Sequence, residues 1–399
     1  MIHHEQPPAI LVITVDDCGN EFFGCYGEGP PTSQPRTDHI DMLAARGLRF
    51  DHYYSNPVCT PTRACILTGR YASRYGLGMA LTEDDQEFLP RRENCFPELL
   101  PEVFCAHIGK WHLGDHWLAL DPIVHGFDVH AGTPRSLGSY FSWERAVSWQ
   151  WRQVWSDLST YATAQVTDDA LELLELAPQP MILWVCYHAP HSPLHDPPGY
   201  TTDGSDLARY VAMIEYLDLE IGRLLNALDL DRDFVILSSD NGSPYTVAST
   251  SGHKLQVLEG GVNVPLIIAG PGVATGATAA LASSVDLFST IVEIAGGVSD
   301  AQDGRSLLPV LTDPAVSVRD HVYVERFADE DGDGICEEDL RAAREARYKL
   351  TWDLDAEALY DLSIAPPGED GRPLDLSHLT DEQRTAYERL HDIVLKRGR

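Results

Sequence analysis

Apolar residues fall in two rhythms along this chain. Short unbroken runs, AILVITVDD (9–17), CAHIGKW (105–111), MILWVCYHAP (181–190), DFVILSSDNG (233–242) and VPLIIAG (264–270), read as buried strands. Between them lie stretches with apolar residues at helical spacing. TDHIDMLAARG (37–47) opens on a capping Thr or Asp and stops at Gly47. SDLARYVAMIEYLDLEIGRLLNALDL (205–230) is a long amphipathic helix, and DLFSTIVEIAG (286–296) is a helix that ends at glycine. This alternation predicts an α/β fold: a large, mostly parallel sheet with helices on both faces.

After about residue 315 the texture changes. HVYVER (321–326), RYKLTWDL (347–354) and EALYDL (357–362) read as short strands without long helices between them, and a final helix spans roughly 380–396. The expected organisation is an α/β domain over residues 1–315. A smaller antiparallel α+β subdomain over 316–399 packs on it.

Composition narrows the partners. The chain has 399 residues, 44% of them hydrophobic, enough for a sizeable core. Its formal net charge of −32 argues against nucleic acid and anionic membrane surfaces, which need clustered Lys and Arg. No apolar run reaches the ~18 residues of a membrane span. The N-terminal MIHHEQPPAILVITVDD lacks the basic, apolar and cleavage segments of a secretory leader. The expectation is a cytoplasmic protein, or a periplasmic or secreted one whose signal was removed. Eight cysteines show neither a CxxC pair nor a zinc spacing, and read as mostly reduced and buried.

In open parallel sheets, ligands bind beyond the carboxyl ends of the strands. There the chain places Asp16 and Asp17, Lys110 and His112, His188 and His191, and Asp240 and Asn241, with His253 and Lys254 following in SGHKLQ. Carboxylates and an amide make a hard, oxygen-rich cation site, suited to Ca²⁺, Mg²⁺ or Mn²⁺ better than to zinc. The lysines and histidines suit an anionic substrate. Each element alone has a structural reading, as a turn, a cap or a packed histidine; the set is what points to a site.

SNPVCTPTRACILTGRY (55–71) adds a cysteine at a helix start. Pro61 suits a first helical turn, and Arg63 lies one turn after Cys59. An unmodified Cys59 there reads either as a buried structural thiol or as a nucleophile of lowered pKa.

CTPTRACILTGRY resembles the signature of the type I sulfatases, Cys-x-Pro-x-Arg followed by Thr-Gly-Arg. The likeness continues, in family order, through VDDCG, GKWHLG, APHSP, SSDNG, GHKLQVLEGGVNVPLI, SSVDLFSTIVEIAG, DGRSLLP and LYDL. It implies the alkaline phosphatase superfamily fold and a sulfuric ester hydrolase. A separate formylglycine-generating enzyme would oxidise Cys59 to Cα-formylglycine, whose hydrate attacks sulfur. Asp16, Asp17, Asp240 and Asn241, with residue 59, would hold the metal, expected to be calcium. Arg63 would stabilise the hydrate, and His112, beside Lys110, would be the base that releases sulfate. His191 and Lys254 would bind sulfate oxygens, one of them protonating the leaving oxygen. The substrate would be a small-molecule or saccharide sulfate ester. Phosphonate monoester and phosphodiester hydrolases share this fold, but in them a His tends to stand where this chain has Asn241. A non-catalytic binder of sulfated ligands is the reading of another class, and the intact Cys59, Arg63, Lys110, His112, His191 and Lys254 argue against it.

Two segments stand outside this pattern. ADEDGDGICEEDL (328–340) resembles a calcium loop through Asp329, Asp331, Asp333 and Gly334, but Leu340 stands where the closing Glu belongs. It reads as an acidic surface loop before it reads as a second calcium site. YFSWERAVSWQWRQVW (140–155) carries Trp143, Trp149, Trp151 and Trp155, which either pack the core or line a substrate cleft.

Overall fold

The structure, a computed structural model, describes residues 8–29, 34–82, 88–114, 122–299, 301–328 and 337–397, apart from positions 151, 355 and 367. The fold class follows the expectation. A ten-stranded sheet is centred on five parallel strands, in spatial order Phe234–Ser239, Ala9–Val15, Met181–Cys186, Phe104–Lys110 and Val129–Thr133. Leu266–Ala269 runs antiparallel beside Phe234–Ser239 and extends the sheet toward Leu48–Phe50 and Gly276–Thr278. The hairpin Trp143–Trp149/Arg152–Leu158 closes the other side.

Ala9–Val15 is buried at every residue because both faces of the sheet are covered. Its side chains alternate between two cores. Ile10 and Val12 pack with Ala64, Ile66, Leu287 and Phe288, from the helices Cys59–Thr68 and Ser284–Ile294. Leu11, Ile13 and Val15 pack with Ile40, Leu43, Val166, Tyr210 and Leu217, from the helices Asp38–Arg46, Ala162–Leu176 and Asp206–Leu225. The long helix starts where Ser205 accepts a hydrogen bond from the Ala208 amide, and it ends at Leu225, earlier than the apolar spacing suggests.

The tryptophan-rich segment is the edge hairpin. Trp143 is buried and donates from Nε1 to the Thr160 carbonyl at 3.0 Å, whereas Trp155 is exposed. Trp151 lies outside the described residues. So do Asp329, Asp331, Asp333 and Gly334 of the acidic loop.

A second, four-stranded antiparallel sheet comprises Val322–Ala328, Glu338–Arg344, Tyr348–Asp353 and Ala356–Asp361, backed by the helix Asp381–Arg397. Glu338–Arg344 is a strand that its sequence, EDLRAAR, disguises. Ala342, Ala343 and Arg344 are its buried residues, and its other charges pair laterally, Arg341 with Asp339 and Glu338 with Arg326 of the neighbouring strand.

A buried ion cluster joins this sheet to the first. Lys349 Nζ lies 3.0 Å from Glu259 Oε1 and 2.9 Å from Asp370 Oδ1. Tyr54 donates to Glu259 Oε2 at 2.6 Å, and Arg344 donates to the Tyr54 hydroxyl. Burial pushes Glu259 up, but Lys349 and Arg344 outweigh it and hold the carboxylate below its ordinary pKa. Lys349→Met would leave Glu259 and Asp370 buried without their cation. The expected loss is about 3 to 5 kcal/mol in a denaturant titration; a change within experimental error would show that the cluster does not hold the two sheets together.

Candidate active site

Parallel strands deliver chemistry to one edge of the sheet. Asp16 and Asp17 follow Ala9–Val15, Lys110 ends Phe104–Lys110, and Asp240 and Asn241 follow Phe234–Ser239. His188 and His191 follow Met181–Cys186, and Cys59 is the first residue of a wholly buried helix. Two glycines make the crowding feasible. A Cβ on Gly109, which has φ +94°, would lie 2.0 Å from the Cys186 carbonyl oxygen. A Cβ on Gly242 would lie 1.9 Å from that of Gly260.

The side chains converge on Cys59. Ligand atoms of Asp16, Asp17, Cys59 and Asp240 all lie within 4.8 Å of one another. Cys59 Sγ is 3.4 Å from Asp16 Oδ1, 3.6 Å from Lys110 Nζ and 3.7 Å from Lys254 Nζ. Lys110 Nζ donates to Asp16 Oδ2 at 2.5 Å, and Lys254 Nζ to Asp17 Oδ2 at 2.9 Å. Arg63 donates through Nε and Nη2 to Asp240 Oδ2, at 3.0 and 2.7 Å, and through Nη1 to the Lys110 carbonyl at 2.8 Å. His191 Nε2 lies 3.7 Å from Asp17 Oδ2. Asn241 Nδ2 donates to Asp17 Oδ1 at 2.7 Å, while Asn241 Oδ1 is buried without a hydrogen-bond partner among the described residues. A partnerless amide oxygen beside three carboxylates fits a hard divalent cation, which such oxygen donors favour. An unfilled acceptor at this depth is otherwise costly.

Charge balance sets the protonation states. Burial pushes Asp16 up, but Lys110, His191, Arg63 and Lys254 together hold it well below the usual carboxylate range. Burial and the adjacent Asp16 push Asp240 up against Arg63 and Lys110. Burial lowers Lys110 and Lys254, but their carboxylate partners outweigh it and keep both ammonium groups charged. The Cys59 thiol departs from the lowered-pKa reading. Burial, reinforced by Asp16 and Asp240, raises it well above the ordinary thiol value despite Lys110 and Lys254. The helix start does not make an unmodified Cys59 a thiolate.

The histidines are held by partners that motif reading does not reveal. His112, at φ +58°, places Nε2 2.9 Å from the Leu81 carbonyl. A carbonyl only accepts, so Nε2 carries the proton and the buried, partnerless Nδ1 is bare. Thr60 clamps this arrangement: its hydroxyl donates to the His112 carbonyl at 2.9 Å and accepts from the Leu81 amide at 3.1 Å. Burial, Lys110 and Arg63 push His112 well below 6.5, so it is a neutral acceptor. His188 Nε2 lies 2.7 Å from Thr133 Oγ1, whose proton goes to the Arg135 carbonyl. Tyr140 Oη lies 2.7 Å from the carbonyl oxygens of both His188 and His191. His253 Nδ1 turns to the Lys254 carbonyl at 2.6 Å, and its ring packs against Tyr245.

Residues 8–298 match the family model described as Sulfatase, and the chain belongs to that family. It is 32% identical over 352 residues to N-acetylgalactosamine-6-sulfatase of Homo sapiens, an alignment covering 77% of this chain and 66% of that protein. The chain thus spans just under two thirds of that relative's length. It is 27% identical over 410 residues to arylsulfatase A of Homo sapiens, covering 90% of this chain and 78% of that protein. Among solved structures, Ps i-CgsB in complex with k-i-k-neocarrahexaose has a similar fold, with TM-score 0.80 and 22% identity. The match covers 98% of this chain and 92% of that one.

Buried imidazoles give the fold a pH dependence. Burial, with Lys110 adding, lowers His188 to about 3; burial, with Arg344 adding, lowers His52 to about 4. In the unfolded chain such groups titrate near ~6.5. Between these values the unfolded state binds protons that the native state refuses. The stability they support is therefore complete above about pH 6.5 and is lost as pH falls toward about 4 for His52 and about 3 for His188. Denaturant midpoints across that range should decline less steeply for His52→Gln, which lies outside the carboxylate cluster. Identical slopes would show that His52 takes up its proton within the fold.

Proposed function

We propose that this chain hydrolyses sulfate monoesters of a carbohydrate or aryl alcohol, with residue 59 as the nucleophile after conversion of Cys59 to Cα-formylglycine. The observation that carries the reading is the position of Cys59 Sγ, where the position-59 oxygen would stand. It lies 3.4 Å from Asp16 and less than 4 Å from the two ammonium groups of Lys110 and Lys254. A thiol raised by burial is a poor nucleophile, which favours conversion by a separate modifying enzyme. The sulfated-saccharide and aryl names of the relatives favour a ring-bearing alcohol.

Once converted, the hydrated aldehyde supplies one hydroxyl to attack sulfur and a second whose deprotonation frees the sulfate. Asp16, Asp17, Asp240 and Asn241 would hold a divalent cation, calcium or else magnesium or manganese, which when bound would supply Lewis-acid polarisation of the sulfate and of the nucleophile.

The chain's own residues do the rest. Lys110 and Lys254 face the position of the sulfate oxygens and stabilise the charge that builds on them. Arg63 holds Asp240 and the Lys110 backbone in register for that task. His112, neutral with Nδ1 bare, is the acceptor for the proton whose removal releases sulfate. Lys254, kept charged by Asp17, carries a proton for the leaving oxygen. Burial lowers His191, which therefore binds as a neutral imidazole until the substrate's charge arrives.

The direct test is the mass of the proteolytic peptide spanning Cys59 in protein from its native host, together with turnover on matched sulfate, phosphate and phosphonate esters. An aldehyde at position 59 and preference for the sulfate support the reading. A persistent thiol, or preference for a phosphorus ester, overturns it. Cys59→Ala should bring turnover to background with the fold intact, as judged by an unchanged melting temperature.

Lys254→Ala separates its two roles. Loss of general-acid help costs ~10²–10⁴-fold where the leaving group needs a proton and far less where it does not. The kcat/KM of this variant on a sugar sulfate should therefore fall at least about tenfold further than on nitrophenyl sulfate. Equal losses on both would assign Lys254 to sulfate binding alone.

A further inference from the structure

We propose that Arg326, on the first strand of the C-terminal sheet, is a positioning residue for Lys254; the inference rests on the sulfatase reading of the site. Lys254 is a long side chain whose ammonium must sit beside Asp17 and Cys59, so its placement depends on its backbone. That backbone is unusual. Leu255, the next residue, has φ +80°, the left-handed region that a branched side chain avoids. Its side chain is 43% exposed, so burial does not hold it there. Backbone contacts do. The Leu255 amide donates to the Pro57 carbonyl at 2.8 Å, and the Lys254 amide to the Ser243 carbonyl at 2.8 Å. A further fixing point comes from the other sheet: Arg326 Nη1 donates to the Leu255 carbonyl at 2.6 Å.

Arg326 is itself anchored. Its side chain is 11% exposed, and Nη2 pairs with Glu338 of the adjacent strand. Its neighbour Glu325 reaches the nucleophile's side of the site. The Glu325 amide donates to Asn56 Oδ1 at 3.0 Å, and its carboxylate accepts from the Ser73 amide at 2.7 Å. Consecutive residues of one strand therefore grip both the segment leading into Cys59 and the segment carrying Lys254, while Leu255 and Pro57 join the two directly. Lys254 is set against residue 59 by this frame, and Arg326 is the member that the catalytic segments do not supply themselves.

The test uses the full chain with Cys59→Ala, which binds without turning over, and inorganic sulfate as the probe, read by calorimetry at fixed calcium. Misplacing a catalytic group by about 1 Å costs up to ~10²-fold. Arg326→Ala should weaken sulfate binding about tenfold or more, and Arg326→Gln, which keeps an N–H donor, should recover part of it. In a Lys254→Ala background Arg326→Ala should have no further effect, because coupled residues are non-additive. No effect of Arg326→Ala alone, or the same loss with and without Lys254, overturns the proposal. If the parent protein does not bind sulfate at all, the sulfatase reading fails. Amide hydrogen exchange over residues 253–256 then decides for Arg326: faster exchange in Arg326→Ala upholds its hold on the segment, and unchanged exchange removes it.

Discussion

Three carboxylates and three cations share one buried volume, and the site depends on their balance. Asp16, Asp17 and Asp240 would repel one another if left alone at that depth. Lys110 lies against Asp16, Lys254 against Asp17, and Arg63 against Asp240. Removing one partner from such a set costs several kcal/mol, because the survivor stays charged and out of water. The constraint runs outward from there. Lys110 must end its strand at the depth of Asp16, so Gly109 yields room to the Cys186 carbonyl. Arg63 must reach Asp240, so its helix is buried along its whole length.

This balance also explains what the site can attract. Three acids and three bases cancel, so a bound divalent cation would make the pocket positive within a chain of net charge −32. A sulfate monoester would then be drawn in at short range while the surface repels it at long range. At physiological ionic strength the surface field decays over ~8 Å. With that cation bound, discrimination for anions would reside in the buried cluster rather than in steering by the exterior.

Much of the fold was legible because central parallel strands are buried on both faces and show as unbroken apolar runs. The metal-type carboxylates were legible for a related reason: they sit at the ends of those strands. The outermost strand of the large sheet and the second strand of the C-terminal sheet were not. In Arg152–Leu158 the residues are half-buried or exposed, and in Glu338–Arg344 charge pairs replace the apolar signal. The supports of the site were also hidden. The Leu81 carbonyl that fixes the His112 tautomer has no side-chain signature, and Thr60 reads only as a variable position between Cys59 and Pro61. Tyr210, whose hydroxyl donates to the Asp17 carbonyl, lies in an ordinary amphipathic helix. Of the two readings of an unmodified Cys59, the buried thiol fits the structure, because burial and two carboxylates supplied by distant strands outweigh the local effect of a helix start.

Three non-glycine residues in left-handed conformations, Asp17 at φ +66°, His112 at φ +58° and Leu255 at φ +80°, lie at or beside site residues. Each costs on the order of 1 kcal/mol or more and persists only where surrounding contacts over-determine it. Asp17 is held by the hydrogen bond its amide donates to Asp240 Oδ1 and by Tyr210; His112 by Leu81, Pro134 and Thr60; Leu255 by Pro57 and Arg326. The first two sets come from the large sheet, its loops and the helices packed on it. The third draws on the second sheet, which the Lys349–Glu259–Asp370 cluster fastens beside Tyr54, five residues before Cys59. The same buried ions that join the two sheets set where Arg326 stands relative to Leu255, so the electrostatics of the interface bear on the placement of Lys254.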